Sequence, residues 1–512
     1  NSNAFLYYTR SFNKQHNLNV SAGWEAASGT TESTNAHYRG FPSGEFHSLN
    51  YAAEVYKKPT RTENTTRRVS VLASANYTWN DIYLVDASVR FDGSSEFGAN
   101  QKWAPFFSGG LGVNIHNYDF FKSNGYINKL KLRASYGRTG KVNFPAYAAT
   151  TMYETLFDEW YITGYGAVLK ALGNKDLTWE KTDKLSVGIE TKTFHDRLTV
   201  DFEYYYNKTI DLVNDVTLSQ TSGFSTYKDN MGQVANKGVE LKLRADIYRD
   251  RNWNVALWGN MAHNKNEILK ISDSQKAYNE RVAAYYKNEA LYQETLGLSH
   301  GAEYSVPLPQ YEEGASLTSI WAVRSLGIDP TTGKEIFLNR DGSIADKWNA
   351  AQEVVVGNTE PKCSGAFGLN LSYKNWTLFA SFLYEWGGQE YNQTLVNNVE
   401  NADLVNKNVD LRVLTDRWKK PGDIAQFKDI KDRGMTTLPT SRFVQDKALV
   451  RLNSLNVSYD FNRDWIKKHL RMNLLRLEAS TSDLINWSSI KQERGLSYPR
   501  SWKVEFSLKA QF

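Results

Sequence analysis

The residue patterns in this sequence that resemble catalytic or ligand-binding motifs are few, and each falls short of what the chemistry needs. Gly327-Ile328-Asp329-Pro330-Thr331-Thr332-Gly333-Lys334 has the glycines and lysine of a phosphate-cradling loop. Its spacing is one residue too long, and Glu335 stands where a magnesium-binding Ser or Thr is required. Asn339-Arg340-Asp341-Gly342-Ser343 resembles a calcium turn without the bidentate Glu, so it reads as a plain turn. The 8 His are scattered without metal spacing, and the 1 Cys, Cys363, offers neither a thiolate pair for zinc nor an internal disulfide. No cofactor or metal is expected. Carboxylates are abundant, but no pair stands out as a general acid and base, so the chain reads as a non-enzyme.

Binding chemistry has more to work with. The segment from Tyr153 to Tyr165 mixes acids and glycines with Trp160, Tyr161 and Tyr165, and a second aromatic-rich stretch holds Tyr285, Tyr286, Tyr311 and Trp321. Aromatic faces stack on sugar rings while nearby Asp, Glu, Asn and Arg bond hydroxyls. Both stretches therefore suit an oligosaccharide, and equally a peptide, plain loop packing or contact with a covering partner. Nucleic acid is not expected, because 61 basic against 56 acidic residues leave only +5 and no clustered basic patch.

The elements that position these residues are strands. Val69, Val71, Ala73, Ala75, Tyr77 and Trp79 lie on one face of a period-two segment, and Tyr83, Val85, Ala87, Val89 and Phe91 on one face of the next, opposite Asp86, Ser88, Arg90 and Asp92. Residues 198–206, 239–247 and 376–386 repeat the pattern, as does the close of the chain, where Trp502, Val504, Phe506, Leu508, Ala510 and Phe512 alternate with polar positions. This predicts roughly 14 to 16 strands of about 10 to 14 residues, long enough to cross a bilayer when tilted. Connections at Asn80-Asp81, His195-Asp196, 250–252 and Lys374-Asn375 are short. Those at 27–64, 141–180, 214–235, 269–318 and 393–446 are long. Aromatics gather at strand ends, as in an interfacial girdle.

A sheet with Asp86, Arg90, Asp201, Glu203, Lys242, Arg244 and Asp246 on its polar face cannot cheaply pack that face against protein, because each buried charge would need a partner. A wet lumen removes that cost, and lipid takes the apolar face. The predicted fold is therefore all-β: a transmembrane antiparallel β-barrel with short periplasmic turns and long extracellular loops. Within it, Arg90 and Asp92 are expected to pair along the wall, with Gly93 letting the backbone leave the strand. Asn236 to Glu240 is expected to mark a strand entry. Trp179-Glu180-Lys181 and Asp416-Arg417-Trp418 are expected at loop-to-strand junctions near an interface.

Several segments then match one family. Residues 82–107, 130–140 (LKLRASYGRTG), 174–190 (NKDLTWEKTDKLSVGIE), 230–241, 327–337 (GIDPTTGKEIF), 416–423 (DRWKKPGD), Val450-Arg451-Leu452-Asn453 and 498–512 occur in order. Together they resemble the SusC/RagA family of TonB-dependent outer-membrane transporters. The resemblance implies a barrel of about 22 strands, of which residues 1–512 would be the C-terminal portion, with the plug domain, TonB box and N-terminal strands absent from this chain. A longer polypeptide, or a second chain, would supply them.

The implied function is TonB-dependent import of a large nutrient across the bacterial outer membrane, most often a glycan fragment and sometimes a peptide. Implied partners are a SusD-like surface lipoprotein, the TonB-ExbB-ExbD machinery acting through the missing part, outer-membrane lipid and the barrel assembly machinery. The last would read the terminal stripe Trp502, Val504, Phe506, Leu508, Ala510 and Phe512. A passive porin-like channel and a secreted, soluble carbohydrate-binding β-protein are the rival readings.

Overall fold

The computed structural model describes all residues except 43–47, 123–125, 143, 145–146, 163, 218–225, 231, 272–274, 278, 281–310, 350–351, 407–408, 435–436, 462 and 492–501. In chain order the strands are β1 (Ser2–Phe12), β2 (His16–Arg39), β3 (Glu54–Trp79), β4 (Tyr83–Ser94), β5 (Trp103–Asn114) and β6 (Ile127–Lys141). A hairpin follows, β7 (Met152–Tyr161) and β8 (Gly164–Ala171), then β9 (Glu180–Thr193) and β10 (Leu198–Ile210), and a second hairpin, β11 (Val213–Thr217) and β12 (Thr226–Asn230). Next come β13 (Gln233–Arg249), β14 (Trp253–Lys270), a group β15 (Ser319–Ile328), β16 (Glu335–Leu338), β17 (Ile344–Ala345) and β18 (Glu353–Asn358), and then β19 (Cys363–Tyr373) and β20 (Trp376–Tyr391). The last are β21 (Val444–Asp460), β22 (Leu474–Ser482), β23 (Asn486–Ser488) and β24 (Lys503–Gln511).

A 16-stranded sheet takes the long strands in the order β1-β2-β3-β4-β5-β6-β9-β10-β13-β14-β19-β20-β21-β22-β24, with β23 on β21. The hairpins β7-β8 and β11-β12 stand apart from it, as does a four-stranded sheet ordered β17-β16-β15-β18. The strand number agrees with the alternation. The lengths do not: β2 and β3 run to 24 and 26 residues. Thr30 still pairs with Thr65 and Arg39 with Glu54, so much of the expected loop 27–64 is an extended ribbon.

The contacts divide the chain into two compact units, one comprising Asn1–Leu111, Ser135–Lys184 and Thr209–Met231, the other Gly112–Ala134, Leu185–Lys208 and Gly232–Phe512. In the first, β1 to β4 pair antiparallel in the register that aligns Trp24 with Val71 and Val71 with Phe91, one apolar row across the strands. These side chains are exposed, as are Val85 and Val89, the latter 58% exposed. In the second unit, Leu243, Ile247, Leu257, Phe367, Trp386, Leu477 and Phe506 lie open in the same way. A soluble monomer does not leave so extensive an apolar face uncovered; hydrocarbon is the solvent that suits it.

The short turns have a common backbone origin. Asn13, Lys14, Asn80, Asp81, His195, Asp196 and Lys374 all have positive φ, the left-handed conformation that tight hairpin turns need and that Asn and Asp tolerate best. Aromatics cluster beside them. His16, Trp79 and Tyr83 stack in the first unit; Trp253 meets Tyr373 at 4.2 Å and Trp376 meets Tyr459 at 4.8 Å in the second. Gly93 does not release the backbone as expected. It sits within β4 because the Trp103 ring, stacked on Phe91, occupies the place a Cβ would take.

Val89→Arg should cost about 2–4 kcal/mol in a bilayer, as for a cation near the hydrocarbon midplane, whereas Ser88→Arg on the polar face should be close to neutral. Urea unfolding of the full-length protein in lipid vesicles measures both.

Candidate functional site

The polar face of the sheet carries paired charges. In the first unit, Arg90 donates from Nε to Asp92 at 2.6 Å and from Nη2 to Glu25 at 3.2 Å and Ser70 at 2.9 Å. Arg138 forks onto Asp183 at 2.6 and 2.9 Å, and Lys181 meets Asp211 at 3.1 Å. In the second unit, Arg133 bridges Asp201 and Glu203 at 2.8 and 2.6 Å. It reaches them across Gly188, where a Cβ would stand 2.8 Å from Nε. Lys129 pairs with Glu190 at 2.6 Å. The expected Arg90–Asp92 pair is therefore present as part of a larger network. Arg133 occupies a polar position of the alternation in the LKLRASYGRTG segment, whereas Arg138, five residues on, has the parity of Leu132 and Tyr136, so only the fold reveals its pairing with Asp183.

Amides form a second layer in the second unit. Asn236 Oδ1 accepts from Asn264 at 3.2 Å and Asn266 at 2.9 Å, while Glu360 accepts from the Asn264 side chain and, at 3.0 Å, from the Asn266 backbone. Tyr205 donates to Asn264 at 2.9 Å. The network continues through Ser316 on Asn266 and Thr318 on Asn358 to Gln389 and Asp446. The Asn236–Glu240 motif thus lies inside β13, and its first residue is a hub of side-chain hydrogen bonds.

The sheet β15–β18 lies between β14 and β19 in the chain, and after β20 short helical turns pack around Leu395, Val396, Val399, Val413, Phe427 and Phe443, joined to β15 where Val323 N donates to Pro439 O at 3.1 Å. Its centre is ionic. Arg442 donates to Glu335 at 2.9 Å and to the fully buried Glu400 at 2.6 Å. Buried Arg417 donates to the carbonyls of Val413, Lys428, Val399 and Glu400, so Asp416-Arg417-Trp418 is a clamp inside this module and not a strand junction. Trp418 covers Gly333, whose φ of +72° excludes most side chains, and donates to Pro330 O at 2.8 Å. The two family segments 327–337 and 416–423 are therefore partners. The first is a turn whose Asp329 accepts from Thr331 N and Thr332 Oγ1. Trp179 is likewise buried, stacked on Phe97 at 4.2 Å in the core of the first unit. Charge burial and ring packing override the interfacial placement expected of both tryptophan motifs.

The sequence-derived ligand residues are scattered. Tyr165 is exposed on β8, and its backbone pairs with that of Trp160 while Tyr161 pairs with Gly164 at the hairpin tip. This segment is a hairpin within the long connection 141–180. Trp321 is part-buried on β15 opposite Val355. Tyr285 and Tyr286 lie outside the described residues. Trp502, Val504, Phe506, Leu508 and Phe512 are all exposed, and Val504 to Leu508 share one face of β24 with Ala510. Among the described residues no group of three or more His, Cys, Asp or Glu could hold a metal ion. The arrangement offers hydrogen bonding and stacking, with most polar-face charges already neutralised by a neighbour.

Two consequences follow from the module's buried acids. Burial raises Glu353 from 4.5 to about 7, Arg340 opposing only in part, and its Oε1 has no hydrogen-bond partner among the described residues. The folded form therefore favours the proton: stability is full below pH 4.5 and is lost as pH rises to about 7, by at most about 3 kcal/mol. Glu353→Gln should flatten this profile, as read by hydrogen exchange of β15 and β18 across that range. Arg442→Met leaves Glu335 and Glu400 uncompensated and should destabilise the module by about 3–5 kcal/mol, visible as proteolysis within 393–443.

Comparison with known proteins follows the same lines. A family model described as TonB dependent receptor-like, beta-barrel matches residues 1–474. The TonB-dependent receptor P3 of Formosa agariphila is 28% identical over 499 residues, covering 95% of this chain and 48% of its own. The TonB-dependent receptor SusC of Bacteroides thetaiotaomicron is 29% identical over 255 residues, or 47% of this chain and 25% of its own. The RagAB peptide importer in its open-open state superposes with a TM-score of 0.80 at 23% identity, over 100% of this chain and 54% of that one. The chain thus spans about half the length of P3 and of the solved importer.

Proposed function

The chain belongs to the TonB-dependent receptor β-barrel family, a family of outer-membrane proteins, and from that premise we propose that it is the C-terminal part of the barrel of an energised importer for a large nutrient. The plug, the TonB box and the remaining strands belong to the rest of a longer polypeptide or to a second chain, as the greater length of its relatives supports. The reading rests on one observation above the rest: an apolar sheet face open to solvent, backed by a polar face of mutually neutralised charges. Such a wall suits lipid outside and water inside.

Because Arg90, Arg133 and Arg138 already hold carboxylates, the lumen presents little net attraction to an ionic ligand, and a neutral, hydroxyl-rich solute passes without being trapped. An oligosaccharide fragment is the substrate that fits best. Trp160, Tyr161, Tyr165 and Trp321, with Tyr285 and Tyr286, are the stacking residues of this proposal. The ion-locked module of residues 319–358 and 393–443 is the rigid rim on which a SusD-like lipoprotein closes, and the TonB machinery moves the plug. The stripe from Trp502 to Phe512 is the feature the assembly machinery reads.

Uptake of a labelled oligosaccharide library by cells carrying the full-length transporter tests the proposal. Accumulation should require an intact TonB system and should fall on Trp160→Ala/Tyr161→Ala substitution. Uptake that persists without TonB, matched by open conductance in planar bilayers, would make the protein a passive channel. Uptake of peptides alone would move the substrate to the class named for the solved RagAB importer.

A further inference from the structure

At the short-turn end, the connection between β21 and β22 contains the helix Arg463–Leu470. Ile466 is wholly buried and fixes the helix to the protein, while Trp465 and Leu470 to either side are 51% and 41% exposed. Lys467 and Lys468 are exposed, and neither forms an ion pair among the described residues. Arg471, in the left-handed conformation that ends the helix, adds a third exposed cation. Asp464 is the acid of the first turn. The base beneath is rigid. Arg476 forks onto Asp460 at 2.5 and 2.8 Å, and Phe461 N donates to Leu475 O at 3.0 Å.

The level of this helix is set by its neighbours. Trp376, Tyr459 and Phe461 form a chain of ring contacts at 4.8 and 5.1 Å immediately before it, and such aromatic clusters sit at the headgroup boundary. A short helix there with one buried anchor, a half-exposed Trp and Leu, and adjacent lysines has the amphipathic division of an interfacial helix. Lys467 and Lys468 are exposed on this helix, and a lysine at such a boundary lays its (CH2)4 stem along apolar surface while its ammonium group reaches phosphates.

We infer that the helix Arg463–Leu470 with Arg471 is a docking surface for anionic phospholipid headgroups of the periplasmic leaflet, which Lys467, Lys468 and Arg471 engage while Trp465 and Leu470 enter the acyl boundary. The inference rests on the outer-membrane placement above. It assigns the periplasmic end a lipid preference that the neutralised wall does not provide.

The full-length transporter in nanodiscs of phosphatidylethanolamine, with or without phosphatidylglycerol, provides the test. Hydrogen exchange of residues 461–473 should slow when phosphatidylglycerol is present, and raised salt should reverse the effect. Lys467→Gln/Lys468→Gln should abolish most of it, about fivefold for each lysine, with exchange in β21 and β22 unchanged as the control for folding. Equal exchange in the two bilayers would overturn the proposal. Protection that appears only on adding an acidic periplasmic protein would overturn it too, assigning the surface to that partner. Failure of the protein to fractionate with outer membranes at all would instead overturn the placement.

Discussion

Everything in this structure depends on the separation of polarity between the two faces of one long antiparallel sheet. Hydrocarbon accepts no hydrogen bonds, so every backbone N–H and C=O within it must be met by a neighbouring strand. The period of two then sends alternate side chains to opposite solvents. Val71, Val89, Phe91 and Leu257 can stay exposed only because lipid covers them, and Arg90, Arg133 and Arg138 can stay charged only because the opposite face is wet. Losing either solvent would leave one face without a physical justification.

The same constraint explains why the long-loop ends carry independent cores. A membrane wall has no interior of its own to which a long loop can attach. Rigidity beyond the bilayer must come from local burial, and residues 319–358 and 393–443 obtain it from an apolar core closed by Arg442 on Glu335 and Glu400. An ion triad buried this way contributes little net stability, but it penalises any arrangement in which one partner is displaced. A loop region built on it holds one shape. The cluster of Phe97, Phe106, Phe144, Leu177 and Trp179 does the corresponding work in the first unit.

The motifs that carried the family resemblance turn out to be mainly architectural. Gly333 and Trp418 lie in separate segments of the sequence and in one contact in the fold. Arg133 and Arg138 share a strand, yet their carboxylates are Asp201, Glu203 and Asp183 on other strands. Neither kind of contact leaves a local pattern that a reader of one sequence could have seen, since only the strand order decides which charges become neighbours.

Strand identity, facing and approximate number were legible because each depends on interactions within about ten residues: alternation for the faces, Asn and Asp at positive φ for the turns. What only the tertiary structure decided was the extension of β2 and β3 into a ribbon, the small sheet β15–β18, the burial of Trp179 and Arg417, and the amide hub at Asn236. Each depends on pairing between residues tens to more than a hundred positions apart, and the free energy of such pairing is set by register and desolvation in the assembled fold, not by the local order of residue types.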